Sequence, residues 1–157
     1  MTELTHLNSS GEAHMVDISD KGDTEREAVV KGKVLMKPDT LEQIKNAGLK
    51  KGDVLAVARV AGIMAAKKTP DLIPLCHPVL LGNVNIDFNL SGNDSIEITA
   101  TAKSTGKTGA EMEAMVAASV TALTIYDMGK SIDRGMTITD ICLESKKGGK
   151  SGVYQKK

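Results

Sequence analysis

Apolar residues take every second position in some stretches of this chain and recur every three or four in others. From Arg26 to Met36, the residues Ala28, Val30, Val34 and Met36 fall on one side. That spacing predicts a half-buried strand. Val84, Ile86, Phe88 and Leu90 alternate with Asn85, Asp87 and Asn89, and Ile96, Ile98, Ala100 and Ala102 alternate with Glu97, Thr99, Thr101 and Lys103. Ser91-Gly92-Asn93-Asp94 lies between the two runs, so they predict a hairpin with one apolar face. Met136 to Glu144 reads as the last strand.

Helical spacing predicts three further elements. Thr40 followed by Gln43 resembles a capping box opening a short helix that Gly48 ends. Asp53 caps a second helix, Val54 to Lys68, whose many alanines would let another backbone approach, and Pro70 stops it. Thr108 with Glu111 forms a second capping box, opening a long helix to about Lys130. Within that helix, Ala114 to Tyr126 carries no charge. Met112, Val116, Ser119, Leu123 and Tyr126 share a stripe, with Lys130 on it and Asp127 at its edge. A helix this apolar is covered on most sides. The Asp127–Lys130 pair reads either as a partly desolvated functional pair or as an ordinary ion pair at a fraying end.

The order is strand, helices, strand, strand, helix, strand. It predicts an α+β, ferredoxin-like (split βαβ) domain: an antiparallel sheet with helices packed on one face. Residues 1–25 read as an irregular arm suited to ordering by a partner. Residues 26–145 read as the single domain and 146–157 as a mobile Lys- and Gly-rich tail. A two-layer domain covers each helix on one side only. The uncharged opposite side of the long helix, at Ala114, Ala117, Ala118, Thr121 and Thr124, is therefore expected to meet another subunit.

Composition narrows the function. At 157 residues the chain can build one core, and with Phe88, Tyr126 and Tyr154 its only aromatics, that core is aliphatic. Twenty basic residues balance twenty acidic ones, which argues against nucleic-acid binding. Cys76 and Cys142 are too few for a disulfide framework. With no signal peptide and no membrane-length apolar run, the expectation is a cytoplasmic protein without a membrane span.

Candidate chemistry lies at several points. Cys76-His77 sits between Pro74 and Pro78, which stiffen the connector Leu72 to Pro78. A metal there would need further ligands, and His6, His14 and Cys142 lack ligand spacing, so no metal site is expected. Gly106-Lys107-Thr108 has the setting of a phosphate loop, but Thr101 stands where its first glycine belongs, and Gly149-Lys150-Ser151 fails similarly at Glu144. Lysines cluster at element ends. Lys51, in the tight Gly48–Gly52 connector, is the one a rigid turn would point inward, where a desolvated amine can act as a base. Glu113 and Asp127 are about 21 Å apart on one helix. One small-molecule site can use both only across a symmetric interface.

Several segments together identify a family resemblance: Leu72-Ile-Pro-Leu-Cys-His-Pro, Thr105-Gly-Lys-Thr-Gly-Ala-Glu-Met-Glu-Ala, Ala122-Leu-Thr-Ile-Tyr-Asp-Met and Gly148-Gly-Lys-Ser-Gly, with His14-Met-Val-Asp and Lys51-Gly-Asp-Val. They resemble the molybdenum cofactor biosynthesis protein C family, the cyclic pyranopterin monophosphate synthases, from about Leu4 to Tyr154. The resemblance implies a lyase that rearranges a cyclised dihydro-GTP into cyclic pyranopterin monophosphate and releases diphosphate. It also implies a homohexamer, a trimer of dimers with sites at the dimer interface. No cofactor is required, and any role of a divalent cation such as Mg²⁺ is left open.

Carried over by position, the resemblance makes Asp127, Lys51 and Lys130 catalytic. It makes Leu75, Cys76, His77, Met112 and Glu113 substrate-binding, and brings Lys67, Lys146 and Arg26 to the triphosphate. Two positions depart from the family pattern: Gly129 replaces an expected Cys, and Lys147 an expected Ser, leaving Lys146 and Lys147 both open as the contact. The competing reading is a non-catalytic nucleotide-binding or assembly module.

Overall fold

The computed structural model describes residues 5–157. Its elements are β1 (Thr24–Leu35), α1 (Pro38–Lys45), α2 (Val54–Ala66), α3 (Thr69–Leu72), β2 (Leu81–Asn89), β3 (Ser95–Gly106), α4 (Glu111–Gly129), β4 (Thr137–Lys147) and β5 (Tyr154–Gln155). Among the described residues the strands form one five-stranded sheet in the order β2-β3-β1-β4-β5, antiparallel throughout. With helices on one face, this is the expected α+β, ferredoxin-like arrangement.

The core lies between sheet and helices. Val30, Val34, Ile86, Ile96 and Ile98 are fully buried there with Ala114, Ala117, Ala118, Ala122 and Ile125 of α4. Small residues let α2 and α4 touch backbone to backbone. A Cβ on Gly62 would fall 3.0 Å from the Ala117 carbonyl oxygen and against the Thr121 hydroxyl. Thr121 satisfies that buried hydroxyl by donating to the same carbonyl at 2.8 Å.

This packing reverses one expectation. The alanine side of α4, predicted to be left for another subunit, is the side that its own domain buries. Close helix packing demands short side chains, so the larger ones face outward. Leu123 is 56% exposed, and Met112 is exposed with it; Val57, Val60 and Met64 are exposed on neighbouring α2. Uncovered apolar side chains therefore exist, but they are Met112 and Leu123 on α4, with Val116 between them buried, and Val57, Val60 and Met64 on α2.

Capping also departs from the sequence pattern at two of three helix starts. Asp53 caps α2 as expected, accepting from the Ala56 N–H at 3.0 Å. Thr40 does not cap α1, because Pro38 opens the helix one turn earlier with Lys37 at the N-cap. Thr108 does not cap α4, which begins after Ala110 without a side-chain cap. Gly48 is not the left-handed residue after α1; Ala47 is, at φ +50°.

At the chain ends, β1 begins two residues before the predicted strand and β4 continues to Lys147. Tyr154 and Gln155 turn back to pair with Lys146 and Ser145, so the tail adds a short strand that no apolar alternation announced. Residues 1–4 of the predicted arm lie outside the described residues. The rest of the arm is irregular apart from a bridge between Leu7 and Ala13. Lys107 Nζ holds it to the domain by donating to the Ser19 carbonyl at 2.7 Å.

Candidate active site

The predicted residues gather at the two ends of α4. At its C-terminal end, Lys130 Nζ donates to Asp127 Oδ1 at 2.6 Å. Lys51 arrives from the α1–α2 connector, where Gly52 at φ +92° makes the tight turn. Its Nζ donates to the Asp127 carbonyl at 2.9 Å and lies 3.7 Å from Oδ2. The hydrogen bond from Lys130, then the charges of Lys130 and Lys51, hold the Asp127 carboxyl below the usual carboxylate range. The Asp127 side chain is 61% exposed. Within one chain, therefore, the pair is not desolvated as one reading of the sequence had it. Gly129, the departure from the family pattern, leaves the helix end intact: the Lys130 N–H still donates to the Tyr126 carbonyl at 2.8 Å.

At the N-terminal end of α4 lies a cavity of about 420 Å³. Leu75, Cys76 and His77 line one wall, Met112 and Glu113 another, and His6, Val16 and Ile18 of the arm a third. Glu113 is only 3% exposed. Burial pushes its carboxyl up, and the nearby Glu111 charge adds to the rise. Burial raises the Cys76 thiol as well, with Glu113 contributing. A carboxyl in that setting is suited to giving a proton, while one between two ammonium groups stays ionised.

A basic edge adjoins this end. Arg26 Nε donates to the Gly106 carbonyl at 3.0 Å, and its Nη2 to that of Lys107 at 3.2 Å. The tail passes over the guanidinium at Gly149, where φ is +77° and a Cβ would sit 2.9 Å from Arg26 Cζ. The positive φ is what favours glycine there. Lys146 Nζ donates to Glu111 Oε1 at 2.9 Å and to Ser151 Oγ at 3.1 Å. Lys147, one position on, pairs instead with Glu27 at 3.0 Å. Strand alternation thus sends Lys146 to the helix side of β4 and Lys147 to the open side. Lys21, Arg26, Lys150 and Ser151 border a further cavity of about 300 Å³. Lys67 follows the end of α2 opposite to Lys51, and among the described residues no ion pair engages it.

One chain therefore joins Lys51, Asp127 and Lys130, and separately joins Leu75, Cys76, His77, Met112 and Glu113 beside Arg26 and Lys146. It does not merge the groups, because the nineteen residues of α4 stand between them. Sequence reasoning gave Glu111 only a capping role and missed it as the partner of Lys146. It also missed Ile18 and Lys21 as walls, since an irregular arm has no periodicity to read. Among the described residues, no three His, Cys, Asp or Glu side chains converge as a metal would require.

Carboxylates in opposite settings, paired lysines and a basic edge are groups of the kind that proton transfers on a small anionic molecule call for. A family model described as the MoaC family matches residues 15–149, and the chain belongs to that family. It is 57% identical over 156 residues to a cyclic pyranopterin monophosphate synthase of Desulforamulus reducens, covering 99% of this chain and 95% of the relative. A protein of the same name from Heliobacterium modesticaldum is 57% identical over 155 residues, covering 98% of both. One from Thermoanaerobacter pseudethanolicus is 55% identical over 154 residues, again covering 98% of both.

Proposed function

We propose that this chain is a lyase of molybdenum cofactor biosynthesis. It rearranges a cyclised dihydro-GTP into cyclic pyranopterin monophosphate, with loss of diphosphate. The observation that carries this reading is the full-length likeness to proteins of that name, together with the Lys51–Asp127–Lys130 cluster. In this reading Asp127, Lys51 and Lys130 pass protons during ring opening and reclosure. Leu75, Cys76, His77, Met112 and Glu113 hold the purine-derived ring. Arg26, Lys67 and Lys146 carry the triphosphate and steady the departing diphosphate. Lys146 is preferred to Lys147 because it reaches Glu111 and Ser151 of the tail rather than Glu27.

The working unit in this proposal is a homohexamer, a trimer of dimers, in which the start of α4 from one subunit meets the end of α4 from its partner. Two observations support it: the separation of the two groups along one helix, and the exposed apolar side chains of α4 and α2. The side chains do the chemistry without a resident cofactor, and a divalent cation such as Mg²⁺ would enter only with the triphosphate. Two free thiols fit a reducing, cytoplasmic setting, and no helix among the described residues is long and apolar enough to cross a membrane.

The test supplies the authentic cyclised intermediate and follows diphosphate and the fluorescent pterin formed on oxidation of the product. The parent is expected to make both, and folded Asp127→Asn and Lys51→Ala neither. A folded, oligomeric parent that makes nothing would replace this reading with a nucleotide-binding module.

A further inference from the structure

Asp133 lies in the loop after α4 and is 3% exposed. A carboxylate so buried is costly unless its oxygens find donors. It finds three. Oδ2 accepts from the Lys37 N–H at 2.9 Å and from Thr40 Oγ1 at 3.2 Å, and Oδ1 accepts from the Gly135 N–H at 3.1 Å. Its own N–H donates to the Gly129 carbonyl at 3.1 Å, closing the end of α4. Tyr126 ties the same loop down by donating to the Arg134 carbonyl at 3.0 Å.

The donors on the far side belong to the start of α1, a helix whose own N-cap supplies no side-chain bond. Asp133 therefore provides from a distance the carboxylate that a helix start calls for. Hydrogen bonds from the Lys37 backbone, Thr40 and Gly135, with the Lys37 charge, keep it ionised below the usual range.

This contact fastens together two segments that each lead to the site and whose side chains share one core. On one side α1 leads, within six residues, to Lys51. On the other, Asp133 stands three residues beyond Lys130 and six beyond Asp127. Lys51 and Lys130 reach Asp127 from these two separate supports. We propose that Asp133 is a positioning residue that fixes the spacing of Lys51, Lys130 and Asp127 by fastening the end of α4 to the start of α1. The proposal rests on the catalytic reading of that cluster and adds a group that touches no substrate.

The test compares the parent with Asp133→Asn, which keeps the size of the side chain and removes its charge, and with the milder Thr40→Val. Two quantities are read: kcat and KM on the authentic intermediate, and the titration of Asp127 by carboxyl carbon NMR. The charged groups facing Asp127 are Lys130 of α4 and Lys51 of the connector. Loosening either should let its titration rise toward that of an ordinary carboxylate. Small displacements of reacting groups are expensive in rate, so Asp133→Asn is expected to lose about tenfold to a hundredfold in kcat per folded protein, with KM nearly unchanged.

Thr40→Val should move both readouts the same way by less. A variant that melts earlier but keeps the parent kcat and the parent Asp127 titration would overturn the proposal and leave Asp133 a stability residue only. If Asp133→Asn does not fold, Thr40→Val decides by the same two readouts. A parent that makes no product would defeat the proposed function, while the Asp127 titration would still report whether Asp133 sets the cluster.

Discussion

The two ends of α4 hold carboxylates in opposite circumstances. Glu113, at the start, is buried beside a thiol and another acid, and its ionised form is disfavoured. Asp127, near the end, is open to solvent between two ammonium groups, and its ionised form is favoured. The helix itself does not explain the difference; its macrodipole would favour a negative charge at Glu113 and disfavour one at Asp127. Neighbouring side chains and burial have reversed both preferences. At the start the dipole's help is overridden by burial, and at the end its penalty is overridden by two ammonium groups, so each carboxyl is set by its neighbours rather than by its helix.

The strongest way to break this comparison is at the exposed end. Asp127→Asn keeps the shape and removes the charge that Lys51 and Lys130 converge on. Turnover of the cyclised intermediate is expected to fall about a thousandfold, in the range of a lost acid–base group. Circular dichroism should stay parental, because the side chain is largely exposed and lies outside the core. Only a small loss of turnover would make Asp127 a bystander.

A mixing experiment sharpens the contrast between the ends. Chains carrying Glu113→Ala are inactive at one end and chains carrying Asp127→Asn at the other. If each site takes one end from each of two subunits, random dimers of the two give some intact sites. Activity about one quarter of the parent is then expected on co-expression. Sites made within single chains would give none.

At the buried end the prediction concerns stability as well as rate. The Glu113 carboxyl titrates higher folded than unfolded. Between the two values the folded state binds more protons, so its stability falls as pH rises through that window. Glu113→Gln should therefore melt higher than the parent near neutral pH and lose that advantage in acid, while turning over more slowly. Equal melting temperatures at all pH values would mean that the carboxyl is not strained by burial. Asp127 has the opposite sign: its contribution is present above the unfolded value and disappears as pH falls through the folded one.

The smallest expected effect lies between the ends. Gly62→Val places side-chain atoms against Ala117 and Thr121, where α2 crosses α4. Overpacking of this kind costs about 1–3 kcal/mol. Urea denaturation should show it, with the Asp127 cluster still active in the folded fraction.

The strands and their order were legible because alternation over β1, β2 and β3 is nearly unbroken, and the chain order admits few topologies. The orientation of α4 was not, because an uncharged helix has two apolar sides. Only the need of Gly62 and Ala117 to meet decides that the small side faces in. Lys51 was legible through its tight connector, and Cys76-His77 through the flanking prolines. Asp133 was not. Its partners Lys37 and Thr40 are over ninety residues away in sequence, and a lone acid in Ser131-Ile-Asp-Arg-Gly gives no local sign of them. Thr40 pointed the wrong way for the same reason, since its hydroxyl serves Asp133 rather than its own helix.

The cavity beside Glu113 has walls of unequal endurance. One belongs to α4, whose backbone is bonded along its length and buried in the core. Another is the arm, which has a few turn bonds of its own, such as His14 N–H to the His6 carbonyl, and, among the described residues, one hydrogen bond to the body, from Lys107 to Ser19. Segments with so few bonds open at a small fraction of the global unfolding free energy. In hydrogen–deuterium exchange, the amides of Val16 to Lys21 should therefore exchange long before those of Ala114 to Ile125. A ligand filling the cavity would slow the first set and leave the second untouched, because only the arm wall has mobility to lose.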